Sequence, residues 1–258
     1  MSKYFFDYTD TVIGANLGAV TLRSGGAPTY MPIYGAPAFK KRYLNFVSDV
    51  VTTRSLTHNA VDADAARADF DLLTCIAVND MTAQSGWLIG RASGTASLTG
   101  YAALALPGSN VLQLLKSTAG VNTVLNTVGF TFTAGKSYFF RFRASGTALM
   151  VKAWASDVDE PAYQISLTDS TFTAAGSVGV GSIVTAIGQT VPFNFFSVGT
   201  GGEVAPLPLT NVRYTAWLND QTSRREVLTE FTASGYDSAG VAPFLKTRNV
   251  YLSRFGFA

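Results

Sequence analysis

The sequence carries little charge, one histidine and one cysteine. Only 14% of its 258 residues are Asp, Glu, Lys or Arg, against roughly a quarter in ordinary globular chains. Its surface must therefore be covered largely by Ser, Thr, Asn, Gln, Gly and Ala, a composition common where an exterior is buried against other subunits. The 19 basic and 17 acidic residues nearly cancel, leaving +2, so no long-range field steers the chain to nucleic acid. The one basic run, Lys40-Lys41-Arg42, is short and reads as a solvated loop or strand edge. A lone cysteine, Cys75, excludes an internal disulfide and a cysteine-rich zinc site. Its apolar neighbours Leu73, Ile76 and Ala77 make it a buried structural thiol. A reducing compartment is the natural place of synthesis for such a chain. Any Ser-His-Asp site would have to use His58. Its setting, Ser55-Leu56-Thr57-His58-Asn59, has no nucleophile elbow, so it reads as a surface or loop histidine. No run approaches about eighteen apolar residues, so no membrane insertion is expected. Asp7 and Asp10 interrupt the opening apolar stretch, so no signal peptide is expected either.

What the sequence does have is apolar and aromatic residues, 47% and 12%, in short runs punctuated by Gly, Ser, Thr, Asn and Pro. That pattern predicts many strands joined by turns. Strands are expected at 44–47, 70–78, 87–91 and 100–106. Pro107-Gly108-Ser109-Asn110 is a turn, because Pro presets φ and Gly or Asn tolerates positive φ, and 111–116 returns as its partner. The clearest hairpin follows. Residues 137–143 alternate, with Tyr138, Phe140 and Phe142 on one face and Phe139, Arg141 and Arg143 on the other. Ala144-Ser145-Gly146-Thr147 turns the chain. Residues 148–154 then return with Leu149, Val151 and Ala153 on one side. A period of two on both arms fits strands and not a helix.

Residues 59–70, rich in alanine and aspartate, read either as one or two helical turns or as an exposed loop. The two prolines of Val204-Ala205-Pro206-Leu207-Pro208-Leu209 bar it from a sheet interior, so it reads as an extended linker. The chain therefore divides into a sandwich over 1–202 and a linker with a small β-module over 203–258. Fewer than about 50 residues without a disulfide make a poor independent core. The second part is expected to pack on the sandwich or a neighbouring chain, with Trp217, Tyr251, Phe255 and Phe257 as its assembly surface. No internal repeat stands out.

The chemistry-bearing residues are sparse. Asp62, Asp64, Asp69 and Asp71 form one acidic cluster, and Asp157, Asp159 and Glu160 another. Both read as solvated loops or strand edges. Hydroxyl-rich turns beside carboxylates could hold Ca²⁺, but the ligand spacing of a known loop is absent, so no cofactor and no metal site are assigned. No Walker loop occurs. Carbohydrate binding is the best small-molecule option, since sugars stack on exposed rings while polar groups fix their hydroxyls. Trp87, Tyr101, Trp154 and Tyr163 are the rings to weigh, and Trp87, Tyr101 and Tyr163 are kept as the candidates. Trp154 lies on a predicted strand, which favours a sheet-face role, and Tyr163, beside Pro161, is the most exposed by position.

The run from Tyr138 to Arg143, the Ser145-Gly146-Thr147 turn and Leu149 to Trp154 precede Glu160-Pro161, Thr168-Asp169-Ser170, Gly176 to Val180 and Phe193 to Val198. This order resembles the C-terminal half of concanavalin A-like (laminin G-like) jelly rolls, and Phe5-Phe6-Asp7 resembles their opening strand. The resemblance covers roughly residues 1–200 and implies an all-β antiparallel jelly-roll sandwich. Glucanases of that fold carry Glu-x-Asp-x-x-Glu on one strand. The motif is absent here, so no enzyme is implied. Residues 247–257 resemble a short β-module of tail and baseplate proteins of tailed bacteriophages. That likeness implies a non-catalytic virion protein of the tail, baseplate or fibre, assembled in bacterial cytoplasm. Its partners would be itself as a homo-oligomer, other virion proteins and a host surface glycan. A lectin module outside a virion or a capsid-decorating protein is the alternative, and a glycan hydrolase the remaining one.

Overall fold

The computed structural model describes residues 2–7, 20–24, 44–47, 53–78, 81–82, 85–94, 97–183 and 190–207. The basic run at 40–42 and the segment 208–258, with Trp217, Tyr251, Phe255 and Phe257, lie outside them. Among the described residues the chain forms strands β1 (Lys3–Asp7), β2 (Val20–Ser24), β3 (Leu44–Val47), β4 (Thr53–His58), β5 (Phe70–Ala77), β6 (Gly86–Ser93) and β7 (Thr99–Leu106). These are followed by β8 (Val111–Thr118), β9 (Val121–Gly129), β10 (Ser137–Ser145), β11 (Ala148–Ala155), β12 (Ile165–Thr168), β13 (Ser177–Ile183) and β14 (Thr190–Thr200). They make two antiparallel sheets that form a sandwich. The first runs β1-β14-β5-β10-β11-β12, with β3 also paired to β14, and the second runs β2-β4-β13-β6-β7-β8-β9.

Alternation decides which residues fill the space between the sheets. In the first sheet Phe140 faces Thr74 and Ala153 across the ladder, and Phe142 faces Leu72 and Val151. These side chains, with Tyr138, Leu149, Phe193, Phe196 and Val198, point inward and meet Leu56, Leu88, Tyr101, Ala103, Leu112, Leu114, Val178 and Val180 of the second sheet. The expected hairpin is thus present in the expected phase, with Gly146 (φ 55°) allowing the tight turn between β10 and β11. The turn at 107–110 is a short 3-10 turn that ends on Asn110 in the left-handed region. Residues 59–62 form one helical turn and 65–68 a 3-10 turn, whose first amides are capped by Asp64 Oδ1 accepting from Ala66 N at 2.9 Å.

The interior admits no slack where the sheets touch. A methyl group added at Gly90 of β6 would overlap the ring of Phe70 on the opposite sheet. Phe70 in turn meets Phe142 edge-on at 5.1 Å. Past β14 the chain turns at Gly201-Gly202, and residues 203–207 have no regular structure. They are nonetheless held to the first sheet. Ala205 N donates to the Asp71 carboxylate at 3.1 Å, and Glu203 pairs with Lys3 at 3.1 Å.

Candidate functional site

The outward faces of the two sheets differ in chemistry. On the second sheet Trp87, Ile89, Ala102, Leu104 and Leu115 form a wholly apolar cluster. On the first sheet the outward positions carry both rings and charges. Phe5, Phe195, Phe139 and Trp154 follow one another across β1, β14, β10 and β11, with ring centroids 5.4, 6.2 and 5.3 Å apart. Beside this line lie Asp71, Arg141, Arg143 and Lys152, which the ladder brings to the same face. Asp71 sits opposite Arg143, and Arg141 opposite Lys152.

The segment 156–164 folds over that face and completes the site. Glu160 Oε1 accepts from Arg141 Nη1 at 2.6 Å and from Lys152 Nζ at 2.7 Å. Lys152 also donates to the Pro161 carbonyl at 3.0 Å. Gln164 anchors the end of the segment by imitating a strand residue. Its side-chain oxygen accepts from Ala153 N at 2.8 Å, and its side-chain nitrogen donates to Ala153 O at 2.9 Å. Tyr163 is thereby laid half-buried over Lys152, with the ammonium 4.2 Å from the ring centre, while Trp154 lies 5.9 Å from the same ammonium. Burial raises the Tyr163 hydroxyl above the usual phenol range, and a hydrogen bond with Arg143 works against that.

Asp71 is the most buried charge here. Burial raises its carboxyl above the ordinary carboxylate value, opposed by Arg141 and by the Ala205 amide. Its Oδ1 stands 3.6 Å from Arg141 Nε, and neither atom has a hydrogen-bond partner. Two buried groups of opposite charge therefore retain unused donor and acceptor capacity under a rim made of Tyr163, Glu160 and Arg143.

Of the rings the sequence put forward, only Tyr163 belongs to this constellation. Trp87 is 1% exposed within the apolar cluster of the second sheet, and Tyr101 is fully buried in the core. Tyr101 donates to Asp169 Oδ1 at 2.6 Å and accepts from Phe172 N at 3.0 Å. Burial, followed by the bond to Asp169, pushes its hydroxyl up to about 12. Burial also acts to raise Asp169, but hydrogen bonds from Thr171, Tyr101 and Lys116 outweigh it and hold the carboxyl well below the usual range. This trio pins the chain after β12 and leaves Tyr101 no open ring face. Trp154, Arg141, Lys152 and Glu160 were not assigned to a site from sequence. The signal was in the alternation that placed Arg141 and Phe139 together on the outer face of β10.

Two further readings change. His58 is not a surface or loop residue. It ends β4 at 1% exposure, stacked on Phe6 at 3.9 Å and on Phe196 at 5.2 Å. Glu160 is not merely a solvated turn residue, since two cations hold it. Among the described residues no three or more His, Cys, Asp or Glu side chains gather as a cation cage would require, and no helix is long and apolar enough to cross a membrane.

No protein-family model matches the chain, and no curated protein matches it. Solved structures do. The carbohydrate binding module CBM66 from Bacillus subtilis is 17% identical, with 69% of this chain and 92% of that one covered at a TM-score of 0.50. The exoplasmic/lumenal domain of VIP36 in its Ca²⁺- and mannose-bound form is 10% identical over 80% of this chain and 96% of that one, at 0.52. A protein of unknown function from Shewanella oneidensis MR-1 is 10% identical over 80% and 89%, at 0.50. The likeness is one of fold, and it is the lectin-like β-sandwich that the hairpin at 138–154 led one to expect.

Proposed function

We propose that the chain is a non-catalytic carbohydrate-binding β-sandwich whose sugar face is the outer surface of the first sheet around Tyr163. One observation carries this reading. The first sheet's outer face gathers stacked aromatic rings and paired charges beside one another, with a half-buried tyrosine at the rim and unused hydrogen-bonding capacity beneath it. The exposed ring of Phe5 and the half-buried ring of Tyr163 supply the apolar platform for a sugar, Phe139, Phe195 and Trp154 being 3–6% exposed and backing it from within, and the charged groups at the rim orient its hydroxyls. The fold it shares with a carbohydrate binding module and with a domain crystallised with mannose supports the same reading. The way the carboxylates are used supports the non-catalytic part of the reading. Glu160 is held by two cations, Asp71 is nearly wholly buried and turned to Arg141, and Asp169 is spent on Tyr101, Thr171 and Lys116.

The test is a glycan array followed by titration calorimetry on the best hit. Tyr163→Ala is expected to weaken binding tenfold or more, about 1.4 kcal/mol, with the melting temperature nearly unchanged. Trp87→Phe, on the other sheet, should leave affinity as it was. Retention of no glycan, or equal binding by Tyr163→Ala, would sink the assignment. We further place the protein in a tailed-phage particle, on the resemblance of residues 247–257 alone. Deleting 208–258 should then abolish incorporation into particles, and normal incorporation of the truncated chain would remove that placement.

A further inference from the structure

The second sheet ends on a strand that lacks the charges, the proline and the short length that normally blunt a sheet edge, and its one irregularity is a bulge at Leu125. β9 is nine residues long and, among the described residues, is paired on one side only, to β8. It contains no proline and no charge, reading Val-Asn-Thr-Val-Leu-Asn-Thr-Val-Gly. Val121 is 71% exposed and Val124 53%. The other outermost strands are shorter. β1 carries Lys3 and Asp7, β2 carries Arg23, and β3 and β12 have four residues each. A long, uncharged, open edge is a template for another strand, because its outward amides and carbonyls lack partners.

The strand's own sequence identifies that other strand. β9 is a doubled unit, Val-Asn-Thr-Val followed by Leu-Asn-Thr-Val. A bulge at Leu125 separates the halves, for β8 residues Leu114 and Leu115 pair with Asn126 and Val124. The bulge changes which residues share a face. On β8, Leu112 and Leu114 point into the core, while Leu115 belongs to the outer apolar cluster and Gln113 bonds outward to Thr127. Their partners therefore place Val121, Thr123, Asn126 and Val128 on the inner side, and Asn122, Val124 and Thr127 on the outer side. A second β9 running antiparallel, with Val121 of each copy opposite Val128 of the other, sets Asn122 against Thr127 and Thr123 against Asn126. Each of these three pairs joins apolar to apolar or polar to polar and lies on a common face, and the two bulges meet at the centre, where Val124 of each copy comes opposite Leu125 of the other. Without the bulge the same alignment would oppose an inner residue to an outer one. With it, a twofold axis normal to the sheet relates the two copies, as a closed dimer requires. The absence of charge means that nothing in the strand repels its own copy.

We propose that the free edge of β9 pairs with β9 of a second copy, joining two sandwiches through one continuous sheet. This interface is separate from the glycan reading, which concerns the other sheet. It also differs from the C-terminal assembly surface expected from sequence.

The test is sedimentation equilibrium on the full chain at the highest concentration it tolerates, with Val124→Lys as the edge-breaking variant. The wild type is expected at twice the chain mass and Val124→Lys at half that value, with matching circular dichroism. A wild-type monomer overturns the proposal, including the case in which the edge serves a strand from another protein. So does a lysine variant of unchanged mass. If the lysine variant fails to fold, the cysteine variants decide. Asn122→Cys combined with Thr127→Cys should give an oxidised covalent dimer linked between 122 and 127. Neither single variant should, because like positions lie about 17 Å apart in this alignment. Cross-linking by the single variants, or none by the pair, refutes the register and the interface with it.

Discussion

Replacing Arg91 with lysine or methionine is expected to cost the sandwich about 3–5 kcal/mol, because up to three carbonyl acceptors lose their donor at about 1–3 kcal/mol each. The guanidinium is 1% exposed. It donates to three backbone carbonyls, Nε to Ala68 at 2.8 Å, Nη1 to Phe172 at 2.7 Å and Nη2 to Gly146 at 2.7 Å, with the Asp69 carboxylate 3.5 Å away. Those carbonyls come from the turn before β5, the chain after β12 and the β10–β11 hairpin. One side chain thus satisfies three acceptors that no secondary structure serves. Lysine keeps the charge but offers a single donor point, so it cannot reach all three. Methionine leaves every acceptor bare. Arg91 also sits at φ 50°, so Arg91→Gly serves as a control that relaxes the backbone while deleting the side chain. Urea denaturation provides the measurement. A lysine variant within about 0.5 kcal/mol of wild type, the scatter of ordinary surface changes, would show that the clamp carries little.

Acid is expected to unfold the protein through His58. Burial lowers its pKa from 6.5 to about 3. The folded state therefore keeps the ring neutral while the unfolded chain takes up a proton below pH 6.5. The folded pKa is the lower one, so the stabilisation is complete above pH 6.5 and is lost as pH falls toward 3. The maximum slope is about 1.4 kcal/mol per pH unit, giving about 2 kcal/mol between pH 6.5 and 5 and about 4–5 kcal/mol by pH 3. His58→Phe, which can keep a stack with Phe6 and Phe196, should remove that slope whatever its effect at neutral pH. Comparing unfolding free energies of the two proteins at pH 7 and pH 5 isolates the histidine, because most carboxylates remain ionised in that interval. Parallel pH profiles for the two would dismiss His58 as the source. Asp71 works in the opposite direction, since its raised pKa favours the folded state on acidification.

What could be read in the sequence was whatever obeyed a simple period. The hairpin at 137–155 was legible because both arms alternate without interruption, and the same alternation separated Phe140 and Phe142 from Phe139 and Arg141. β9 escaped because its bulge breaks the alternation at Leu125, leaving neither a strand period nor a helical one. His58 was misplaced although Ser55-Leu56-Thr57-His58 puts it on the face of Leu56; a polar residue type obscured a period that was present. Arg91 gave no sign, because its partners are backbone carbonyls 23, 55 and 81 residues away, and carbonyls carry no sequence signature. In the site, Tyr163 was reachable through its neighbour Pro161. Its association with Arg143, Glu160, Lys152 and Trp154 was not, since it depends on how residues 156–164 fold back across β11.

The contact between the first described residues and those after β14 has a mechanical consequence. β1 runs antiparallel to β14, with Lys3 opposite Gly199, and Ser2 O accepts from Thr200 N at 2.9 Å. The start of β1 and the end of β14 therefore lie side by side. Tension applied between residues 2 and 207 would load that ladder one rung at a time, as in opening a zip, and would not load all its hydrogen bonds in shear. Asp64, which accepts from Thr200 Oγ1 at 2.6 Å and from Tyr4 at 3.4 Å, is the fastening at the pulled end. A sandwich built this way is expected to open first at its ends when it is pulled there.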